Sequence, residues 1–142
     1  MNLKRSALQA ITAALLGILA ACSPSRGVKP GDTQVVAQWT TYNLTASTLT
    51  ARVERAATEA RMGWACETVC VVHGKDVGSS AYNIYLYTQN VPGTVKLLVR
   101  LEQARSLPRG LQIGIRQTAG TYAPAYPSAL RIFKIAYGSR PH

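Results

Sequence analysis

The sequence predicts an α+β domain: an antiparallel sheet with two helices packed on one face, in the ferredoxin-like order βαββαβ with one further C-terminal strand. Three observations predict it. Two segments, 46–62 and 94–106, repeat apolar residues at three- and four-residue steps, the period of a helix. Five others are short, rich in β-branched or aromatic residues and bounded by Gly, Pro, Asn or Asp, as strands are. The two kinds alternate along the chain as strand, helix, strand, strand, helix, strand, strand.

Thr33–Tyr42 (TQVVAQWTTY) is the first strand. Ala46–Met62 is the first helix, with Leu49, Val53, Ala56, Ala57 and Ala60 as its apolar stripe. Arg55 and Glu59, four apart, form a pair on another face, and Gly63 follows as a C-terminal cap. Cys70–His73 is a short strand and Gly74–Ser80 a turn. Ala81–Thr88 (AYNIYLYT) has the strongest strand pattern. A turn at Asn90–Gly93 leads into the second helix, Thr94–Ser106, whose apolar side is Val95, Leu98, Val99 and Leu101; Pro108 and Gly110 end it. Leu111–Gln117 alternates with period two. Thr118–Ser128 is a Pro/Tyr-rich loop, and Leu130–Tyr137 (LRIFKIAY) is the last strand.

The N-terminus is organised differently. Lys4 and Arg5 precede an apolar run from Ala7 to Ala21, too short to span a bilayer, which takes roughly 20 residues, but built as an export signal. It ends in Leu19-Ala20-Ala21-Cys22, which resembles the lipobox of bacterial lipoproteins. The resemblance implies lipid transfer to the Cys22 thiol, cleavage before it and acylation, with palmitate-type chains, of the new amino terminus. It implies a membrane partner through that anchor. Ser23 in place of Asp implies the outer membrane, with the domain facing the periplasm. The chain then divides into a signal peptide (1–21), a flexible Pro/Gly/Ser-rich tether (22–31) and one globular domain (32–142), a size that supports a single core.

The chain carries sixteen Lys and Arg against six Asp and Glu, a net +10. Losing Lys4 and Arg5 with the signal leaves fourteen bases against the same six acids, +8. Export removes cytosolic nucleic acid from the expected partners. Within reach are lipid phosphates, peptidoglycan carboxylates and acidic protein surfaces.

Cys66 and Cys70 are the only other cysteines, and an oxidising compartment favours a disulfide between them. Residues four apart on a straight strand lie about 13 Å apart, so the bond requires a tight turn at Glu67-Thr68-Val69. Adding His73 gives C-x3-C-x2-H, a spacing similar to the copper loops of cytochrome oxidase subunit II, but the histidine is one residue early and no methionine follows. A copper or redox protein is therefore the weakest reading, and no metal site or cofactor beyond the lipid at Cys22 is expected.

Catalytic signatures are lacking. No serine stands in a G-x-S-x-G context, and Glu54, Glu59 and Glu102 fall on helix surfaces as solvated charges. No catalytic residue is assigned, and the expected class is non-enzymatic. Tyr85 and Tyr87 alternate with the core residues Tyr82, Ile84 and Leu86, so they face the opposite side of the sheet. If that side is open, the rings stand beside Arg or Lys from neighbouring strands, an arrangement suited to stacking and cation–π contact. Tyr122 and Tyr126 lie in a semi-rigid exposed loop suited to a protein contact. These four tyrosines form the candidate binding surface. The expected role is accessory: supporting an envelope protein assembly, or, in a different class, binding anionic glycan or lipid such as peptidoglycan or lipopolysaccharide.

Overall fold

The computed structural model describes residues 27–135. The leader, Cys22 and the end of the expected last strand beyond Ile135 lie outside the described residues. Eight elements follow in order: β1 (Thr33–Trp39), α1 (Tyr42–Thr45), α2 (Leu49–Cys66), β2 (Val71–Val77), β3 (Tyr82–Thr88), α3 (Val91–Gln103), β4 (Gln112–Arg116) and β5 (Tyr122–Tyr126). The strands form one antiparallel sheet in the order β2-β3-β1-β4-β5. The fold is α+β, and its main elements run βαββαβ with one extra C-terminal strand, as the sequence predicts.

β1 is central because its residues bury both faces. Val35, Ala37 and Trp39 enter the helix-covered core with Tyr82, Ile84 and Leu86 of β3 and Ile113 of β4. Val36, on the opposite face, is equally buried. Residues 127–135 lie over part of that second face. Phe133 is buried there against Gly114, where any Cβ would overlap its ring. Gln38 Nε2 donates to Lys134 O at 3.3 Å. The expected strand Leu130–Tyr137 is therefore a strap over its described length: it lies across the sheet instead of pairing at its edge. The fifth strand is instead β5, inside the segment expected to be a loop. Pro124 is tolerated there because β5 is an edge.

Thr48 caps α2 by accepting from Ala51 N at 3.2 Å, and Asn90 caps α3 by accepting from Gly93 N at 2.9 Å. α3 thus starts at Val91, with Pro92 in its first turn. α2 departs further from expectation. Its buried side is Ala51, Thr58, Met62 and Cys66, whereas Leu49, Val53, Ala56 and Ala60 face solvent. Gly63 continues the helix, and the cap is Glu67 at φ 28°. Arg55 does not pair with Glu59. Its Nη1 donates to Leu44 O at 2.7 Å and Ala46 O at 2.9 Å, fastening α1 to α2. Arg55→Ala is expected to cost about 2 kcal/mol, since these bonds have a charged donor. An unchanged urea midpoint would show that the tie contributes nothing.

Glu59 and Glu102 are not solvated surface charges. Glu59 accepts from Lys75 Nζ at 2.6 Å and from the Tyr82 hydroxyl at 2.8 Å. Glu102 accepts from Leu111 N at 3.0 Å and the Tyr126 hydroxyl at 3.2 Å, joining α3 to the residue that leads into β4 and to β5. Burial, and then the Glu59 carboxylate, push the Tyr82 phenol far above its ordinary value. The folded state therefore holds this proton more tightly than the unfolded chain. The stability it brings is complete below pH ~10, the unfolded value. It is lost as pH rises from there towards the raised folded value, by up to ~1.4 kcal/mol per pH unit. Tyr82→Phe is expected to flatten the alkaline limb of a stability–pH curve. An identical limb in the variant would contradict this origin.

Candidate binding face of the sheet

Alternation along β3 sends Tyr85 and Tyr87 away from the helices. Register then sets their neighbours. Tyr87 lies opposite Gln34 of β1 and Val71 of β2, and Tyr85 opposite Val36. On the far side of the sheet Tyr122 of β5 lies opposite Arg116 of β4. Gln34 links the two tyrosine groups: its Nε2 donates to the Tyr87 hydroxyl at 2.7 Å, and its Oε1 accepts from the Tyr122 hydroxyl at 2.5 Å. A second hub is Asp76, which accepts from the Tyr85 hydroxyl and, at 2.7 Å, from Asn83 Nδ2. The backbone prepares this corner. The β2 ladder shifts register between Val72 and Lys75, and Gly74 stands there at φ 119°. A Cβ at Gly74 would sit 3.7 Å from the Tyr85 ring, so the ring lies close over a bare backbone. His73 meets Tyr87 edge-on at 5.9 Å between centroids, and Tyr122 tilts against Phe133 at 5.8 Å.

Three of the four expected tyrosines therefore share one face: Tyr85, Tyr87 and Tyr122, all half-buried. Tyr126 does not join them. The shift in register between Ile113 and Gly114 turns it to the helix side, where it reaches Glu102. The expected basic surroundings are also corrected. An amide and a carboxylate hold Tyr85 and Tyr87, and the cation that register places beside the group is Arg116, at Tyr122. The phenol hydroxyls are committed to these bonds, so the rings present fixed edges and faces. Such a surface can stack on a flat or apolar ligand. Gln34 and Asp76 are revealed only by cross-strand register, and Phe133 only by its packing on Gly114, so none of the three is visible in the sequence as part of this face. The available signal is a polar residue, Gln34, beside the β-branched pair Val35-Val36 of β1.

Cys66 and Cys70 stand at disulfide distance, with Cα atoms 4.6 Å apart. The expected turn makes this approach: Val69 N and Cys70 N both donate to Cys66 O, at 2.6 and 3.2 Å. Among the described residues no group of three or more His, Cys, Asp or Glu is placed to hold a metal ion, and no helix is long and apolar enough to cross a membrane. Cys22 lies outside the described residues.

Two grooves flank the helices. One, about 530 Å³, runs along α1 and the start of α2 to Arg109. The other, about 600 Å³, lies between α3 and the β4–β5 edge, floored by Val95, Val99, Ile115 and Ala125 with Lys96 and Arg100 among its lining residues. No family model, no curated protein and no solved structure matches this chain.

Proposed function

We propose that the chain is a lipid-anchored protein of the bacterial cell envelope, non-enzymatic, which supports a protein assembly in the periplasm by docking a partner on Tyr85, Tyr87 and Tyr122. The observation that carries the reading is the fixed state of those rings. Gln34 and Asp76 hold the hydroxyls in place before any partner arrives, which lowers the ordering entropy lost on binding. The lipobox resemblance at Leu19–Cys22 supports the location, and the 22–31 tether supports display of the domain away from the bilayer.

A photoreactive benzophenone amino acid at position 85 of the full chain, in a Gram-negative host, tests the docking role. One discrete protein adduct is expected, with little or none from position 126, which faces the helices. Adducts to many proteins equally, or none, would overturn it.

A second reading, binding of anionic glycan or lipid, is favoured by Arg116 beside Tyr122 and by the +8 charge of the chain after residue 21. Ionic strength separates the two readings. Charge-driven glycan binding fades by about 0.5 M salt, whereas a packed protein contact persists.

A further inference from the structure

The stripe that the sequence assigns to the core is on the outside. Leu49, Val53, Ala56, Ala60, Gly63 and Trp64 all face solvent along α2. Leu49 is 72 % exposed, Val53 60 % and Trp64 85 %. At about 100° per residue the six fall within an arc of roughly 100°, with no charge inside it. α2 is thus apolar on two sides, and the sheet covers only one. Large apolar side chains this exposed, in one continuous stripe, mark a contact surface.

We propose that this stripe pairs with the same stripe of a second copy of the chain, as an antiparallel helix pair with its two-fold axis between Ala56 and Ala57. The inference does not depend on the tyrosine face. Its first ground is the layout of sizes. The large residues lie at the two ends, Leu49 and Val53 at one and Trp64 at the other, with alanines between. An antiparallel pair sets Leu49 against the partner's Trp64 and Val53 against the partner's Ala60. The backbones then approach closely at Ala56 and Ala57. Such an interface is self-complementary, as a two-fold contact requires.

The second ground is charge. Arg52 and Glu59 border one flank of the stripe; Arg61 and Glu54 border the other. The two-fold brings like flanks together. Arg52 then lies about 3 Å along the axis from the level of the partner's Glu59, and Arg61 about 3 Å from that of the partner's Glu54, at ~1.5 Å rise per residue. Every flank contact pairs opposite signs. Glu59 keeps Lys75 and Arg61 keeps its 3.3 Å contact with Ser106 O, so these are shared, not new, charges. A parallel pair would instead align the two helix dipoles, which is unfavourable. A lipid surface fits less well, because each flank carries a carboxylate where an interfacial helix is rich in Lys and Arg.

Cysteine trapping in the full chain tests the register. Ala56→Cys is expected to give a covalent dimer under mild oxidation, because the two copies of position 56 meet at the axis. Leu49→Cys alone and Trp64→Cys alone are expected to give none, since each lies about 22 Å along the axis from its own copy. Chains carrying Leu49→Cys and Trp64→Cys, made together, should crosslink to each other. Arg61→Glu should lower the Ala56→Cys yield about two- to fivefold, and adding Glu54→Arg should restore it. These positions are exposed or half-exposed, so the variants should fold, and unchanged thermal melting checks this. Failure of Ala56→Cys to crosslink, or Leu49→Cys crosslinking to itself as readily, would overturn the pairing. So would protection of the thiol introduced by Ala56→Cys from a soluble maleimide by phosphatidylglycerol vesicles without dimer formation, which would assign the stripe to lipid.

Discussion

Phe133→Ala is expected to cost about 3 kcal/mol of folding stability and to free the strap that lies over part of the sheet. Phe133 is the buried anchor of residues 127–135 on this face. Its ring lies where a side chain at position 114 would stand. The two positions must therefore couple. In the parent chain Gly114→Ala forces a Cβ into the ring and destabilises by about 2 kcal/mol. Once Phe133 is alanine, the same change meets empty space and replaces a flexible strand glycine, so its cost should fall to zero or reverse. A double-mutant cycle by urea unfolding should give a coupling above about 1 kcal/mol. Additive costs would mean that Phe133 does not hold the strap by this contact. Freed of the strap, the Tyr122 ring loses its contact with Phe133, so the variant should also bind more of a hydrophobic dye than the parent.

Trp39→Ala is expected to cost about 4 kcal/mol, the largest effect of any single truncation in the core. Trp39 is fully buried at the end of β1 and stacks on Tyr82 at 5.9 Å between centroids. Its indole Nε1 donates to Pro108 O at 3.0 Å, tying the loop after α3 to the central strand. Alanine leaves a cavity and an unfilled carbonyl. Trp39→Phe keeps most of the volume and loses only the donor, so it should cost about half as much or less. Equal losses from the two variants would assign the whole effect to the hydrogen bond. The second tryptophan, Trp64, is exposed in the single chain, so at concentrations too low for pairing iodide should quench its emission while leaving that of Trp39 untouched.

Two strands, β1 and β3, are the most legible part of the molecule; β2 is not, since it runs through Gly74 to Val77, where the sequence predicts a turn. TQVVAQW and YNIYLYT are β-branched or aromatic, and their alternation correctly separates the Tyr82, Ile84, Leu86 side from the Tyr85, Tyr87 side. The turn that brings Cys66 to Cys70 follows from bond geometry once a disulfide is expected between them. α2 was read inside out because two stripes of helical period coexist on it. Leu49, Val53 and the alanines outrank Ala51, Thr58, Met62 and Cys66 in apolar character, and periodicity alone does not say which stripe meets the sheet. The buried one is identified by what it reaches: Arg55 caps the carbonyls of α1, and Glu59 takes the Tyr82 hydroxyl. The C-terminal segment misled for a similar reason. LRIFKI alternates like a strand, but Gly114 opens a socket in β4 that Phe133 fills, so one long-range contact replaces a ladder. The same limit applies to the tyrosines. Alternation gives the face of Tyr85 and Tyr87 but not of Tyr122, whose segment reads as a loop, and Gln34 and Asp76, which fix their hydroxyls, belong to other strands.

The docking role requires that the domain stand in the periplasm on a lipid anchor. Mass spectrometry of the N-terminal peptide of the full chain, recovered from membranes of a Gram-negative host, tests that most directly. The account predicts a chain beginning at Cys22 whose thiol carries diacylglycerol and whose amine carries a further acyl group, with a Cys22→Ser variant recovered unacylated. An unmodified Cys22, whether in an uncleaved chain or in one processed elsewhere, would contradict it.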